Sequence, residues 1–183
     1  GIILNYSAPD EDRLVTNISL QKEEKVFKSS EPVLGFIGGG NYSSRVLIPA
    51  FKKAGAQLHT LITANGINGV ISGKEMGFQF SSTNIDDIFQ DELINTAIIV
   101  TQHNTHAKFV IEALKSNKNI WVEKPLAIDS DSLKLIKSEY LKAHNNDKLG
   151  GPQLMVGFNR RFSSYVQKIN ELLNQDKDSK III

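Results

Sequence analysis

The chain has 183 residues, 40% hydrophobic and 22% charged, so it is long enough to bury at least one core. Its 21 Lys and Arg residues nearly balance its 20 Asp and Glu residues. The resulting net charge of +1 argues against nucleic acid or an anionic membrane as a partner. Cysteine is absent, which excludes disulfides, thiolate nucleophiles and cysteine-ligated zinc in this chain, and which fits a cytoplasmic protein.

The N-terminal part does not read as an independent domain. Residues 1–6 are strand-like, but charged stretches follow at residues 10–13 and 21–25. We therefore interpret residues 1–32 as the tail of an upstream domain or a linker. No charged-then-apolar signal peptide stands at the start, and the apolar stretches are too short to cross a bilayer, so we expect no membrane partner.

From residue 33 onwards, apolar strands alternate with helical patterns. Six strands are predicted, at residues 33–37, 58–62, 77–80, 93–101 (with its apolar part at 97–100), 120–122 and 154–157. Helices are predicted at residues 45–54, 104–116, 130–144 and 163–174. This alternation predicts an α/β fold with a doubly wound, mainly parallel sheet that is covered on both faces.

A glycine cluster separates the first predicted strand from the first predicted helix. A strand, a glycine turn and a helix form the geometry that binds a dinucleotide pyrophosphate. We predict that Gly38 turns the chain off the strand and that Gly40 lets backbone N–H groups approach the phosphates. Gly39 and Asn41 are predicted as further cofactor-binding residues, while Ser43 replaces the third glycine of the usual pattern. The alternative is a plain structural turn.

The end of the second predicted strand bears on the choice of cofactor. An acidic residue there would bind the ribose hydroxyls of NAD, and an arginine would favour NADP. The segment Ile62-Thr-Ala-Asn65 has neither. Thr63 and Asn65 are therefore predicted to hydrogen-bond the ribose, and the cofactor stays open between NAD and NADP.

Polar residues also follow the fourth predicted strand. The segment Thr101-Gln-His-Asn-Thr-His106 should lie at the same sheet edge as the glycine turn, because both follow strands of a parallel sheet. Ligands bind beyond the carboxyl ends of such strands. Thr101, His103 and His106 are predicted to contact the cofactor, although both histidines could be ordinary loop residues. No carboxylate or third histidine has the spacing for a metal site, so none is predicted.

The fifth strand is followed by Glu123-Lys-Pro125, and the sixth by Asn159-Arg-Arg-Phe162. Lys124 is predicted as a catalytic residue that hydrogen-bonds a substrate hydroxyl or carbonyl and assists the proton during hydride transfer. Glu123 is predicted to orient the lysine and to line the cofactor site. The alternative is a surface turn with an incidental ion pair. The two arginines could meet a phosphate or a substrate carboxylate, or could simply be solvated.

Together these segments resemble the N-terminal half of the glucose–fructose oxidoreductase, inositol dehydrogenase and rhizopine-catabolism family. The resemblance runs from residue 33 to about residue 162 and rests on the order of four segments, at residues 38–40, 101–106, 123–125 and 157–162. It implies a Rossmann domain that binds NAD or NADP, with Lys124 near the nicotinamide and the substrate. It also implies that a catalytic second domain is missing, with residues 163–183 as a helix and the start of that truncated domain.

A narrower resemblance concerns the whole chain. The strand-like start, the acidic linker and the segment at residues 157–162 are similar to bi-domain oxidoreductases, in which a zinc-type alcohol dehydrogenase-like half comes first. This resemblance implies a role in surface-polysaccharide metabolism.

The leading functional hypothesis is a fragment of an NAD(P)-dependent oxidoreductase acting on a sugar or polyol, with a homo-oligomer as one option. We expect such a fragment to be inactive alone. The alternative is a dinucleotide-binding or assembly module without catalysis. A third option, an amino-acid or biliverdin-type reductase, is disfavoured by the placement of residues 123–125.

Overall fold

A computed structural model describes residues 15–23, 25–146 and 150–174 of the chain. Seven strands form one sheet: β1 (Asn17–Ser19), β2 (Val33–Ile37), β3 (Gln57–Ile62), β4 (Phe80–Ser82), β5 (Thr96–Ile99), β6 (Asn119–Val122) and β7 (Leu154–Val156). The helices are α1 (Ile48–Lys53), α2 (Gly66–Met76), α3 (Asp86–Phe89), α4 (His106–Lys115), α5 (Ser130–Asn146) and α6 (Ser164–Asn174). Short helical turns cover Ser43–Leu47, His103–Thr105 and Asn159–Phe162.

The sheet is mainly parallel, and its spatial order is β1-β4-β3-β2-β5-β6-β7. Every neighbouring pair from β4 to β7 runs parallel, and only β1 runs antiparallel, against β4. The chain winds outwards from β2 in one direction through β3 and β4, and in the other through β5, β6 and β7. The predicted doubly wound α/β fold is therefore confirmed, and the switch point lies between β2 and β5, where such folds bind ligands.

Two apolar layers cover the sheet, one on each face. On one face, Leu34 and Phe36 of β2 pack with Ile48 of α1. On the other face, Val33 and Ile37 of the same strand pack with apolar residues of α3, α4 and α5. Because side chains alternate along a strand, a strand buried on both faces reads as one continuous apolar run. All five residues of β2 are buried, which explains why its pattern was readable in the sequence.

The strand β1 was not predicted. Asn17 pairs with Ser82 and Ser19 with Phe80, so this short segment extends the sheet beyond β4. Its residues are exposed and only Ile18 among them is apolar, which leaves no period-2 pattern to read. Leu20 follows directly and is buried in the core. Residues 17–20 therefore contribute to this sheet, whereas the strand predicted at residues 1–6 lies outside the described residues, as does the segment 175–183.

The third strand begins three residues later than the sequence pattern predicts. Gly77 does not begin a strand but ends α2, with a left-handed φ of 87°. Its N–H bonds to the Gly73 carbonyl 3.0 Å away, as in a helix C-terminal cap. The strand β4 begins only at Phe80.

The predicted helix at residues 45–54 is also divided. A wider π-helical turn covers Ser43–Leu47, and α1 follows with Pro49 in its first turn. Proline has no N–H, so it cannot continue the hydrogen-bond ladder of an α-helix at that point. The structure thus begins this helix nearer to the glycine turn than the sequence pattern indicated.

No helix in the described part of the chain is long and apolar enough to cross a membrane.

Candidate active site

The turn after β2 is built by glycines that the rest of the chain requires. Gly38 has a φ of 110°, which L-residues rarely adopt, and a Cβ on it would collide with the carbonyl oxygen of Val100. A Cβ on Gly39 would lie 2.9 Å from Cγ2 of Thr63. These two glycines let the end of β2 pack closely against the end of β5 and the end of β3, at the switch point of the sheet.

The third glycine and the serine after it are not explained by packing within the chain. A Cβ on Gly40 would meet no atom within 4 Å, so the space beside it is open. Ser43 is fully buried, and its Oγ has no hydrogen-bond partner among the described residues. A buried hydroxyl without a partner is costly, and an open space beside a helix start suits an anionic group. These residues therefore fit a dinucleotide phosphate.

The end of β3 lies beside the glycine turn. Thr63 Oγ1 donates a hydrogen bond to the Asn65 carbonyl oxygen at 2.8 Å. Asn65 Oδ1 in turn accepts from the Asn68 N–H at 3.3 Å and caps α2. Thr63 and Asn65 are thus at the predicted edge, but each oxygen already has a local partner. The Asn65 amide nitrogen makes no hydrogen bond to the described residues.

The loop after β5 separates its two histidines. Thr101 and His103 line the cleft that opens beside the glycine turn. His106 does not line it, because its ring is fully buried behind the loop. Its Nδ1 lies 2.7 Å from the Pro125 carbonyl oxygen, and its Nε2 lies 3.1 Å from the Thr101 carbonyl oxygen. Predicted as a cofactor contact, His106 instead ties the loops after β5 and β6 to each other.

Glu123 and Lys124 follow β6 at the same edge and both line the cleft. Glu123 Oε2 accepts from the Lys124 backbone N–H at 3.0 Å, while the Lys124 side chain is exposed. None of the ion pairs between described residues involves Lys124. The Glu123 carboxylate therefore hydrogen-bonds the backbone of Lys124 and forms no ion pair with its ammonium group. The Lys124–Pro125 peptide bond is cis.

Tyr42 and Asn159 are two further candidates for the site. Asn159, just after β7, donates from Nδ2 to the Tyr42 hydroxyl at 2.7 Å and to Glu123 Oε1 at 3.2 Å. The segment of Asn159 was predicted to lie at the sheet edge, and Tyr42 lies between Asn41 and Ser43, directly after the glycine turn. The only available signal was this placement, because nothing local in the sequence links residues that are 117 positions apart.

The electrostatics of this group centre on a carboxylate beside a phenol. Partial burial raises the pKa of Tyr42, and the negative charge of Glu123 raises it further, while the hydrogen bond from Asn159 acts in the opposite direction. The Tyr42 hydroxyl is therefore held protonated at neutral pH, as a hydrogen-bond donor at the wall of the cleft.

The cleft itself has a volume of about 900 Å³, within the range of sites for small molecules. It is lined by the glycine turn, by the ends of β5 and β6, and by the turn after β7: Gly40, Asn41, Tyr42, Ser43, Val100, Thr101, His103, Glu123, Lys124, Gly157, Phe158, Asn159, Arg160 and Arg161. No group of three potential metal ligands occurs among the residues that the structure describes.

Residues 33–146 match the model of a known oxidoreductase family. The family model described as "Oxidoreductase family, NAD-binding Rossmann fold" (GFO_IDH_MocA) matches residues 33–146, more than half of the chain. The chain belongs to this family. The resemblance that the sequence motifs indicated is thereby confirmed, and residues 33–146 are an NAD-binding Rossmann domain of the oxidoreductase type.

Individual relatives extend the comparison. Oxidoreductase P35 of Formosa agariphila is 26% identical over 149 residues, which cover 81% of this chain and 44% of that protein. An inositol 2-dehydrogenase of Corynebacterium glutamicum is 23% identical over 133 residues, which cover 72% of this chain and 37% of the relative. The chain thus spans less than half the length of these curated relatives.

A solved structure shares the fold and a quarter of the aligned residues. A levoglucosan dehydrogenase in complex with NADH and levoglucosan superposes with a TM-score of 0.64 and 26% sequence identity. The superposition covers 77% of this chain and 40% of the dehydrogenase. The likeness therefore concerns less than half of that enzyme.

Proposed function

We propose that this chain is the cofactor-binding part of an oxidoreductase that transfers hydride between NAD or NADP and a sugar or polyol. The observation that carries the proposal is the open space at Gly40 beside the unpartnered hydroxyl of Ser43, in one cleft with Lys124. The names of two relatives, an inositol 2-dehydrogenase and a levoglucosan dehydrogenase, support the substrate class.

In this proposal the glycine turn holds the cofactor's pyrophosphate. Gly38 and Gly39 bring the turn close to β5 and β3, and Gly40 leaves the space that a phosphate needs. Ser43 Oγ is buried without a partner, and in this proposal it donates a hydrogen bond to a phosphate oxygen. That bond offsets the free-energy cost of burying an unpaired hydroxyl. The neighbouring Asn41 lines the same part of the cleft.

The ribose and the nicotinamide end are assigned to the other strand ends. Thr63 and Asn65 follow β3 and are assigned to the ribose, because Rossmann domains usually hold the ribose at the end of this strand. The Asn65 amide nitrogen is the donor that remains for it. Thr101 and His103 line the cleft beside the glycine turn and are assigned to the cofactor as well.

Lys124 is assigned to the substrate. The bound nicotinamide supplies the hydride chemistry, and the protein has to position the substrate oxygen and move its proton. The Lys124 ammonium group is exposed to the cleft, where it can donate to that oxygen and stabilise negative charge on it. Glu123 acts indirectly, since its Oε2 accepts from the Lys124 backbone N–H.

The proposal is tested by calorimetric titration of the 183-residue chain with NAD, NADH, NADP and NADPH. We expect at least one of the four to bind with one site per chain. An absence of binding by all four would contradict the proposal at its first step. The substrate class is tested separately, by dinucleotide reduction with a panel of polyols and sugars in the complete protein.

A further inference from the structure

Asn159 joins three parts of the cleft that are far apart in sequence. Its amide nitrogen donates to the Tyr42 hydroxyl at 2.7 Å and to Glu123 Oε1 at 3.2 Å. Tyr42 directly follows the glycine turn after β2, Glu123 follows β6, and Asn159 itself follows β7. One side chain therefore connects the cofactor end of the cleft to the residues beside the proposed substrate.

The Glu123 carboxylate is restrained on both of its oxygens. Oε1 accepts from Asn159, and Oε2 accepts from the Lys124 backbone N–H at 3.0 Å. Gly157 leaves room for the carboxylate because it has no side chain. A Cβ on Gly157 would lie 3.2 Å from Glu123 Oε1 and 2.9 Å from the Trp121 ring. The carboxylate is thus turned towards β7 and away from the ammonium group of the next residue.

An unrestrained carboxylate beside Lys124 would be expected to pair with it. Adjacent acidic and basic side chains at a partly exposed site attract each other, with a free energy of about 0.2–1 kcal/mol. A lysine held in such a pair donates less readily to a substrate oxygen. The hydrogen bonds to Glu123 remove that competition without removing the negative charge from the cleft.

We propose that Asn159 is a positioning residue, which holds the Glu123 carboxylate against Tyr42 and thereby leaves the Lys124 ammonium group free for the substrate. This inference rests on the proposed function, because it concerns the lysine that the proposed function assigns to the substrate. It predicts that removal of the Asn159 amide lets Glu123 turn to Lys124, and that neutralising Glu123 reverses the effect.

The first test measures the reactivity of Lys124 in the 183-residue chain, without any dinucleotide. Trace acetylation with acetic anhydride is followed by peptide mass spectrometry, with the exposed Lys137 of α5 as the internal reference. Only the free amine attacks the anhydride, so an ammonium group paired with a carboxylate reacts more slowly. In Asn159→Leu we expect the relative rate at Lys124 to fall about threefold, the scale of an exposed ion pair.

The double variant identifies the cause. In Asn159→Leu/Glu123→Gln no carboxylate is present to pair with Lys124, so the relative rate should return to that of the wild type. The matched control is Asn145→Leu, the same change at an exposed position near the end of α5, which should leave the rate unchanged. An unchanged rate in Asn159→Leu, or a decrease that persists in the double variant, would overturn the inference.

A second measurement tests the hydrogen bonds themselves. The phenol of Tyr42 is titrated by its ultraviolet absorbance, with Tyr42→Phe used to identify its contribution. In Asn159→Leu the Glu123 carboxylate turns away from the phenol, and its charge raises the Tyr42 pKa by more than the Asn159 hydrogen bond lowers it, so the pKa of Tyr42 should fall. It should also fall in Glu123→Gln, which removes the negative charge. An unchanged or raised Tyr42 pKa in either variant would overturn the inference. Both tests are independent of cofactor binding, so their failure is distinct from a failure of the proposed function.

Discussion

Gly38 lies with its backbone directly against the carbonyl group of Val100, and a Cβ on it would come within 2.8 Å of the Val100 carbonyl carbon. Gly40, two positions later, faces open space. The two glycines of one turn therefore serve different purposes. Gly38 is required by the packing of β2 on β5. Nothing in the described chain requires a glycine at position 40, so we assign Gly40 to the binding of the cofactor's pyrophosphate.

The substitution Gly40→Val should remove dinucleotide binding without unfolding the protein. Its side chain would fill the space assigned to the pyrophosphate, so we expect affinity to fall at least about a hundredfold, roughly 2.7 kcal/mol. The free energy of unfolding should change by no more than about 0.5 kcal/mol, since the Cβ meets no atom of the chain. Calorimetry and urea unfolding measure the two quantities.

The contrasting control is Gly38→Ala. Its left-handed backbone and the contact with Val100 predict a loss of about 2 kcal/mol or more in the free energy of unfolding. Should Gly40→Val bind the dinucleotide as the wild type does, the pyrophosphate site must lie elsewhere.

Discrimination between NAD and NADP should be weak. The segment after β3 contains Thr63 and Asn65, with no carboxylate to repel a 2′-phosphate and no guanidinium to attract it. We expect the dissociation constants of NADH and NADPH to differ by less than about tenfold, or roughly 1.4 kcal/mol. A larger difference in calorimetric titrations would show that a residue outside this segment recognises the ribose.

Lys124→Met should separate catalysis from cofactor binding in the complete protein. Methionine keeps the side-chain length but removes the ammonium group, so we expect turnover to fall by about 10²–10⁴-fold, the usual contribution of a general acid or base. Dinucleotide affinity should change less than about threefold, because the phosphates are assigned to the glycine turn. Steady-state kinetics and calorimetry measure the two effects. Full turnover in this variant would reduce Lys124 to a residue of a surface turn.

His59 should make stability depend on pH. Its ring is buried, with Nδ1 2.8 Å from Thr60 Oγ1 and Nε2 3.6 Å from Asp91 Oδ2. Burial lowers the pKa of His59 below its usual value of 6.5, although the charge of Asp91 opposes the change. As pH falls below about 6.5 the unfolded chain takes up this proton before the folded one does, so the free energy of unfolding decreases.

Urea unfolding at about pH 7.5 and about pH 5.5 checks this pH dependence. The wild type should lose more stability over the interval than His59→Gln, which cannot take up the proton. Identical losses in the two proteins would assign the pH dependence to other groups.

Much of the fold was predictable because its signals are local. The strand β2 is buried on both faces and reads as a continuous apolar run, and the glycines follow it directly. Parallel strands then place the segments after β2, β5, β6 and β7 at one edge, and the structure has them there. The strand β1 was missed and β4 was misplaced, because one is short and exposed and the other follows a helix cap at Gly77.

Whether an individual residue lines the cleft depends on contacts with residues that are distant in sequence. His106 and His103 look alike in the sequence, yet only His103 lines the cleft, since the carbonyl oxygens of Thr101 and Pro125 engage the ring of His106. Likewise, the Glu123-Lys-Pro125 tripeptide indicated a lysine oriented by its neighbour's carboxylate. The structure shows that this carboxylate contacts Asn159 and the Lys124 backbone instead.

The amino-acid sequence by itself determined the alternation of strands and helices, the position of the glycine turn and the sheet edge at which the polar segments meet. These features depend on apolar periodicity and on the conformational freedom of glycine, which act over a few residues. Only the tertiary structure decided that Tyr42, Glu123 and Asn159 share hydrogen bonds, because the order of strands in the sheet, and not their order in the chain, brings these three side chains together.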